Sequence, residues 1–154
     1  MHYKTHLNKI SKLTWDKALT PKVIDAIMEC TNRHPYYVNY LCDILWDGRE
    51  APPKVADVKR AWKIVLEEEW RDALKEISLL SLNQRRILKY IAKNEVTGMT
   101  SQESSQQLEL PVSTISSVAE SLVDKDYAEV EDGVYKIIDP LLLAVLSESL
   151  LDQD

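Results

Sequence analysis

The dipeptide Asp132-Gly133 constrains this chain more than any other feature. It stands between two short stretches of alternating character, 127–131 and 134–138. The two-residue turn that matches the twist of paired strands needs positive φ at both central residues, and Asp-Gly suits it well. A small β-hairpin is therefore predicted. The runs upstream carry a helical period, so the hairpin is an addition to a mainly α chain.

Caps and apolar spacing mark the helices. Thr20 reads as an N-cap with Pro21 at the first helical position, and Val23, Ile24, Ile27 and Met28 form one face of a helix ending near Asn32. Pro35 opens a second, with Tyr37, Tyr40, Leu41, Ile44 and Leu45 at i, i+3, i+4 spacing, and Asp47-Gly48 stops it. The proline loop REAPPK, 49–54, leads into a long helix. Its expected core stripe is Val58, Trp62, Leu66, Trp70, Leu74 and Ile77. Ser81 and Gln84 make a capping box before Ile87, Leu88 and Ile91. Thr100 with Glu103 is expected to form a second box for a short helix ending near Leu108. Pro111 opens the next helix, with Ile115, Val118, Ala119, Leu122 and Val123 facing inward. Asp139-Pro140 caps a last helix, LLLAVLSESLL.

Three helices followed by a hairpin is the order of a winged helix-turn-helix. The run LPVSTISSVAESLVDKDYAEVEDGVYKIIDP, 110–140, resembles that fold in Ser113-Thr114-Ile115, Leu122, Asp126-Tyr127 and Tyr135. The fold expectation is a helical bundle over 1–80 followed by a winged helix with a small β-hairpin wing over 81–154. The third helix would be the one to enter a major groove. Its outer residues are Ser113, Thr114, Ser116, Ser117, Glu120, Ser121 and Asp124, with none of the Arg, Lys, Asn or Gln forks that read base edges. Ser113, Thr114 and Ser117 are the candidates for contact with DNA or a partner. The wing carries Glu129, Glu131 and Asp132, offset only by Lys125 and Lys136. Residues 81–154 hold 6 Lys/Arg against 13 Asp/Glu, whereas 1–80 hold 13 against 12. An acidic half repels a phosphate backbone, so DNA is disfavoured and a protein partner favoured.

The stretch TNRHPYYVNYLCDILW, 31–46, sets a His-Pro turn before a helix rich in tyrosine. Together with a winged helix ending in Tyr135 and Asp139-Pro140, it resembles the C-terminal part of archaeal-type ATPases of the STAND branch of the AAA+ superfamily. Their lid carries a sequence close to T-G-G-H-P-Y-Y. The resemblance covers roughly residues 15–145. It implies that residues 1–80 are an AAA+ lid, that Pro35 packs against an adenine ring, and that His34 lies near phosphates or ribose and senses nucleotide. Asn32-Arg33 replaces Gly-Gly. Asn tolerates a left-handed backbone, and Arg33 introduces a side chain that could reach a phosphate. Read on their own, His34-Pro35 can equally be a plain helix start, and Tyr36, Tyr37 and Tyr40 packing residues with wet hydroxyls.

Catalytic motifs are missing. The three glycines, at 48, 98 and 133, build no G-x-x-x-x-G-K-[ST] loop, and all three histidines precede residue 35. The chain is expected not to be an enzyme and to hold no cofactor itself. ATP or ADP with Mg would belong to a P-loop domain expected to precede Met1. His2 and His6, at a terminus expected to fray, give no convincing metal site, and Trp62 and Trp70 read as core. Cys30 and Cys42 read as buried thiols. No apolar run reaches the roughly 18 residues of a membrane span, and no signal-peptide pattern opens the chain, so a cytoplasmic protein is expected. The leading function is a regulatory module of a STAND-type ATPase, the winged helix docking on the core or on a partner. A DNA-binding winged-helix transcriptional regulator and a nucleotide-independent interaction adaptor are the alternatives. The apolar helix 140–151 is expected to be covered by a neighbour, which makes a homo-oligomer conceivable.

Overall fold

The computed structural model describes residues 2–93 and 96–148, with the side chain of His2 outside that description. Internal packing divides the chain into two units, Met1–Glu68 and Glu69–Asp154. The division falls inside a long helix, whereas the sequence expectation of 1–80 and 81–154 follows that helix to its end.

The first unit begins with α1 (His2–Trp15), α2 (Pro21–Cys30) and α3 (Pro35–Trp46), followed by the first part of α4 (Val55–Ser78). From His2 onward the first segment is helical. Leu7 and Ser11 are buried, Ser11 donates to the Lys17 carbonyl at 2.6 Å, and Asn8 accepts from the Leu19 amide at 3.1 Å. Trp15 packs on Trp46 with ring centroids 4.9 Å apart and donates to the Arg49 carbonyl. These ties hold the helix to the core. In α2 the expected face, Val23, Ile24, Ile27 and Met28, is buried. Thr20 stands at its N-cap with Pro21 following, but its hydroxyl makes no capping bond and only its carbonyl is engaged. In α3 the buried edge is Tyr37, Val38, Leu41 and Leu45, with Tyr40 and Ile44 half-buried.

The stripe expected along α4 is corrected. Val58, Ala61, Val65, Ala73 and Ile77 are buried, Trp62, Leu66 and Trp70 are half-buried, and Leu74 is exposed. The reason is rotation: a row stepping always by four residues drifts about 40° per step around a 3.6-residue helix, whereas a core stripe alternates three and four.

The second unit holds α5 (Leu82–Lys93), β1 (Val96–Thr97), α6 (Gln102–Leu108), α7 (Val112–Asp124), β2 (Glu129–Glu131), β3 (Val134–Lys136) and α8 (Pro140–Ser147). The Ser81–Gln84 box is reciprocal, with bonds of 3.2 and 2.9 Å. The Thr100–Glu103 box does not form. Ser101 caps α6 instead, accepting from the Ser104 amide at 3.1 Å. The buried Ser104 hydroxyl donates to the Gly98 carbonyl and meets Tyr90 Oη, each at 3.2 Å, which pulls the helix start one residue along. Asp132 and Gly133 both have positive φ, 51° and 77°, and Glu131 pairs with Val134 across them. The hairpin strands are shorter than expected. A third strand, β1, joins the far edge of β3, giving the antiparallel order β1-β3-β2. Asp139 caps α8 by accepting from the Leu141 and Leu142 amides. Leu141, Leu142, Val145 and Leu146 are buried by the chain itself, and residues 149–151 of the apolar run lie outside the described residues.

At the start of α4, Asp57 accepts from the Lys54 amide at 2.8 Å and pairs with Arg60 and, at 3.1 Å, with Arg49. The Lys54 amide, opposed by burial and helped by both arginines, holds this carboxyl below its ordinary range. A depressed carboxylate stabilises the fold above its unfolded value and loses that contribution as pH falls through its folded value. Asp57→Asn is expected to lower stability at pH 7, and the gap between the variant and the native chain to narrow as pH falls below the ordinary carboxylate range, measured by urea denaturation across pH.

Candidate functional site

The turn joining α2 to α3 is built by hydrogen bonds. Arg33 N–H donates to the Met28 carbonyl at 3.1 Å and Asn32 N–H to that of Glu29 at 3.3 Å, the pairing of a Schellman motif with Asn32 at its left-handed position. Arg33 follows in the same region, φ 57° after 47° for Asn32. Two successive left-handed residues without glycine are costly, on the order of 1 kcal/mol each. The buried Thr31 anchors the turn, its hydroxyl donating to the Ile27 carbonyl and its own carbonyl accepting from His34 N–H.

The three residues singled out here point in different directions. Arg33 and Pro35 are exposed. His34 turns inward onto Tyr37, ring centroids 5.1 Å apart, and its buried Nδ1 finds no hydrogen-bond partner among the described residues. Arg33 lines a shallow groove of about 350 Å³ with Lys4, Asp25 and Glu29, two cations and two acids. Lys4 and Asp25 are paired at 2.9 Å. Tyr36, Tyr37 and Tyr40 form an edge-to-face cluster, with Tyr37 against Trp62 and Tyr36 outermost.

On the outer side of α7, Ser113, Ser116, Ser117, Glu120 and Asp124 are exposed, and Thr114 and Ser121 are half-buried. Lys136 in the wing is held between Glu129 at 2.9 Å and Glu131 at 3.5 Å, and these carboxylates, Glu129 foremost, raise its pKa. Of the two cations near the wing, Lys136 is thus already engaged by its own carboxylates.

A basic feature passed over in the sequence lies on α5. Of the six Lys/Arg in 81–154, Arg85, Arg86, Lys89 and Lys93 stand on this one helix. All four line a groove of about 380 Å³ shared with Ile77, Tyr90, Leu108 and Leu146. Their i, i+1, i+4, i+8 spacing, one helical edge, was the available signal.

Residues 74–148 match a family model described as "Probable winged helix domain". The second unit carries a winged helix. No curated protein and no solved structure matches the chain. In this winged helix α6 and α7 form the helix-turn-helix and β2 and β3 the wing.

Cys30 and Cys42 are free and half-buried. Burial, then Asp43, pushes the Cys42 thiol up to about 12, and burial raises that of Cys30 as well. Among the described residues, no group of three or more His, Cys, Asp or Glu is placed to hold a metal ion, and no helix is long and apolar enough to cross a membrane.

The turn geometry predicts an order of stabilities. Arg33→Gly is expected to raise the urea midpoint, by about 0.5 kcal/mol after the entropy of the unfolded glycine is counted. Arg33→Val, β-branched in a left-handed position, is expected to lower it by about 1–2 kcal/mol. Equal midpoints for the two variants would show that residue 33 is not left-handed.

Proposed function

We propose that this chain is a non-catalytic regulatory and interaction module whose winged helix docks on protein instead of reading base pairs. The observation that carries this reading is the charge of the surface a winged helix would turn to DNA. The outer side of α7 offers hydroxyls and carboxylates, and the wing's lysine is bound to Glu129 and Glu131. Seating that surface on a duplex would set Glu120, Asp124, Glu131 and Asp132 against a polyanion, with no α7 cation to displace counterions. Ser113, Thr114 and Ser117 are then available to a protein partner.

For the first unit, the reading is the lid of a STAND-type AAA+ ATPase. Its support is the backbone at Asn32 and Arg33, which takes up the left-handed pair that Gly-Gly would supply in that lid motif, with Pro35 exposed beside it. On this reading a P-loop domain binds ATP or ADP with Mg, Pro35 packs on the adenine, and Arg33 reaches a phosphate. His34, packed on Tyr37, would feel nucleotide through the turn. The lid would shift with nucleotide state, and the winged helix would convey that shift to the core or a cytoplasmic partner. The chain would have neither activity nor cofactor by itself.

The test is fluorescence anisotropy with labelled 20-base-pair duplexes at low salt. Saturation is expected to lie above about 100 µM, weaker than ordinary non-specific DNA binding. Tight binding that falls steeply with salt would instead establish the DNA-binding regulator. For the lid, a phosphate-binding loop encoded upstream in the same reading frame supports the assignment, and its absence favours the nucleotide-independent adaptor.

A further inference from the structure

The groove along α5 combines features that nothing in the fold requires. Apart from its four cations, residues 81–154 hold two Lys/Arg against thirteen Asp/Glu. The positive charge of an acidic unit is therefore gathered on one helical edge about two turns long. The groove between that edge, α6 and α8 is lined by apolar as well as charged groups, Leu82, Leu108 and Leu146 among them. Leu82 is 61% exposed, and Leu79, in the preceding turn, 81%. Large aliphatic side chains beside charged ones are the composition of a surface awaiting cover. Arg85 also lines the groove, with a buried Nε that has no hydrogen-bond partner among the described residues.

We infer that this groove is a docking site for an acidic amphipathic peptide segment of a protein partner. Apolar side chains of the segment rest against Leu82, above the buried floor of Leu108 and Leu146, and its carboxylates meet Arg85, Arg86 and the two lysines. The chemistry selects this occupant over others. A duplex phosphate backbone gives the exposed Leu82 nothing to bury against. A free anion would leave Leu82 exposed as well. A carboxylate-bearing helix satisfies both halves of the groove, because acids and apolar residues at i, i+3, i+4 spacing lie on adjoining faces. The acidic surroundings, including the Glu129–Asp132 wing, repel the same segment elsewhere, so charge fixes where it lands. Arg86 meets Glu109 only at 3.8 Å in an exposed pair, an interaction that an incoming carboxylate can replace. This inference does not depend on the nucleotide-lid reading of the first unit.

The test is selection of a random 16-residue peptide phage library on the whole chain, followed by binding of the enriched synthetic peptides. Enriched peptides are expected to be acidic with apolar residues at helical spacing. Their affinity is expected to fall at least tenfold in the exposed double variant Arg86→Glu/Lys93→Glu, checked for folding by circular dichroism. Amide chemical-shift mapping on the unsubstituted chain must place the shifts on α5 and α6, which keeps the test open should the variant unfold. Peptides without acidic excess, affinity that survives charge reversal, shifts confined to α7 or the wing, or a selection that enriches nothing would each overturn the inference.

Discussion

The second unit depends on how one helix is divided along its length. Ile87, Leu88 and Ile91 bury one edge of α5, and that edge is packed among α6, α7, α8 and β3. Burying two isoleucines and a leucine contributes several kcal/mol at roughly 25 cal/mol per Å² of apolar surface. Once the edge is committed to the core, Arg85, Arg86, Lys89 and Lys93 must face the groove and solvent. The same packing sets α7 with Ile115, Ala119 and Leu122 inward, which leaves its serines and carboxylates outside. The core thus distributes the charge.

That distribution gives the unit two surfaces of unlike chemistry. A winged helix that reads DNA carries cations on the helix it offers to the groove, whereas here they stand on α5. Lys136, on the wing, lies between two carboxylates. The acidic net charge of residues 81–154 is therefore the sum of two unlike surfaces, one rich in carboxylates and hydroxyls, the other cationic and partly apolar.

Much of this was legible in the sequence where one residue type forces one geometry. Asp132-Gly133, the Ser81–Gln84 box and the Asp139 cap each stand where they were expected, since each rests on a local hydrogen bond or backbone preference. The inward faces of α2 and of α5 were readable from period alone. What was not legible lacked such a local signal. β1 is two residues long and exists only because β3 offers it an edge. The cap of α6 moved to Ser101 because Ser104 is buried, a tertiary effect. Helix ends were blurred because this chain has few glycines: Asn32, Glu109 and Asp126 take left-handed positions where α2, α6 and α7 stop. At the candidate site, the turn at Asn32 was readable from the tolerance of Asn, but the left-handed Arg33 was not, since propensity argues against it. The cationic edge of α5 is visible in its spacing, but it stands on a helix other than the one a winged helix offers to DNA, so the fold pattern alone does not point to it.

The most direct measurement is amide chemical-shift mapping of the whole chain titrated with a short DNA duplex at low salt. The account predicts that amides of residues 113–124 and 129–136 stay unmoved, any weak electrostatic perturbation falling on Arg85, Arg86, Lys89 and Lys93. Saturable shifts at Ser113, Thr114, Ser117 and the wing tip, erased by added salt, would contradict it.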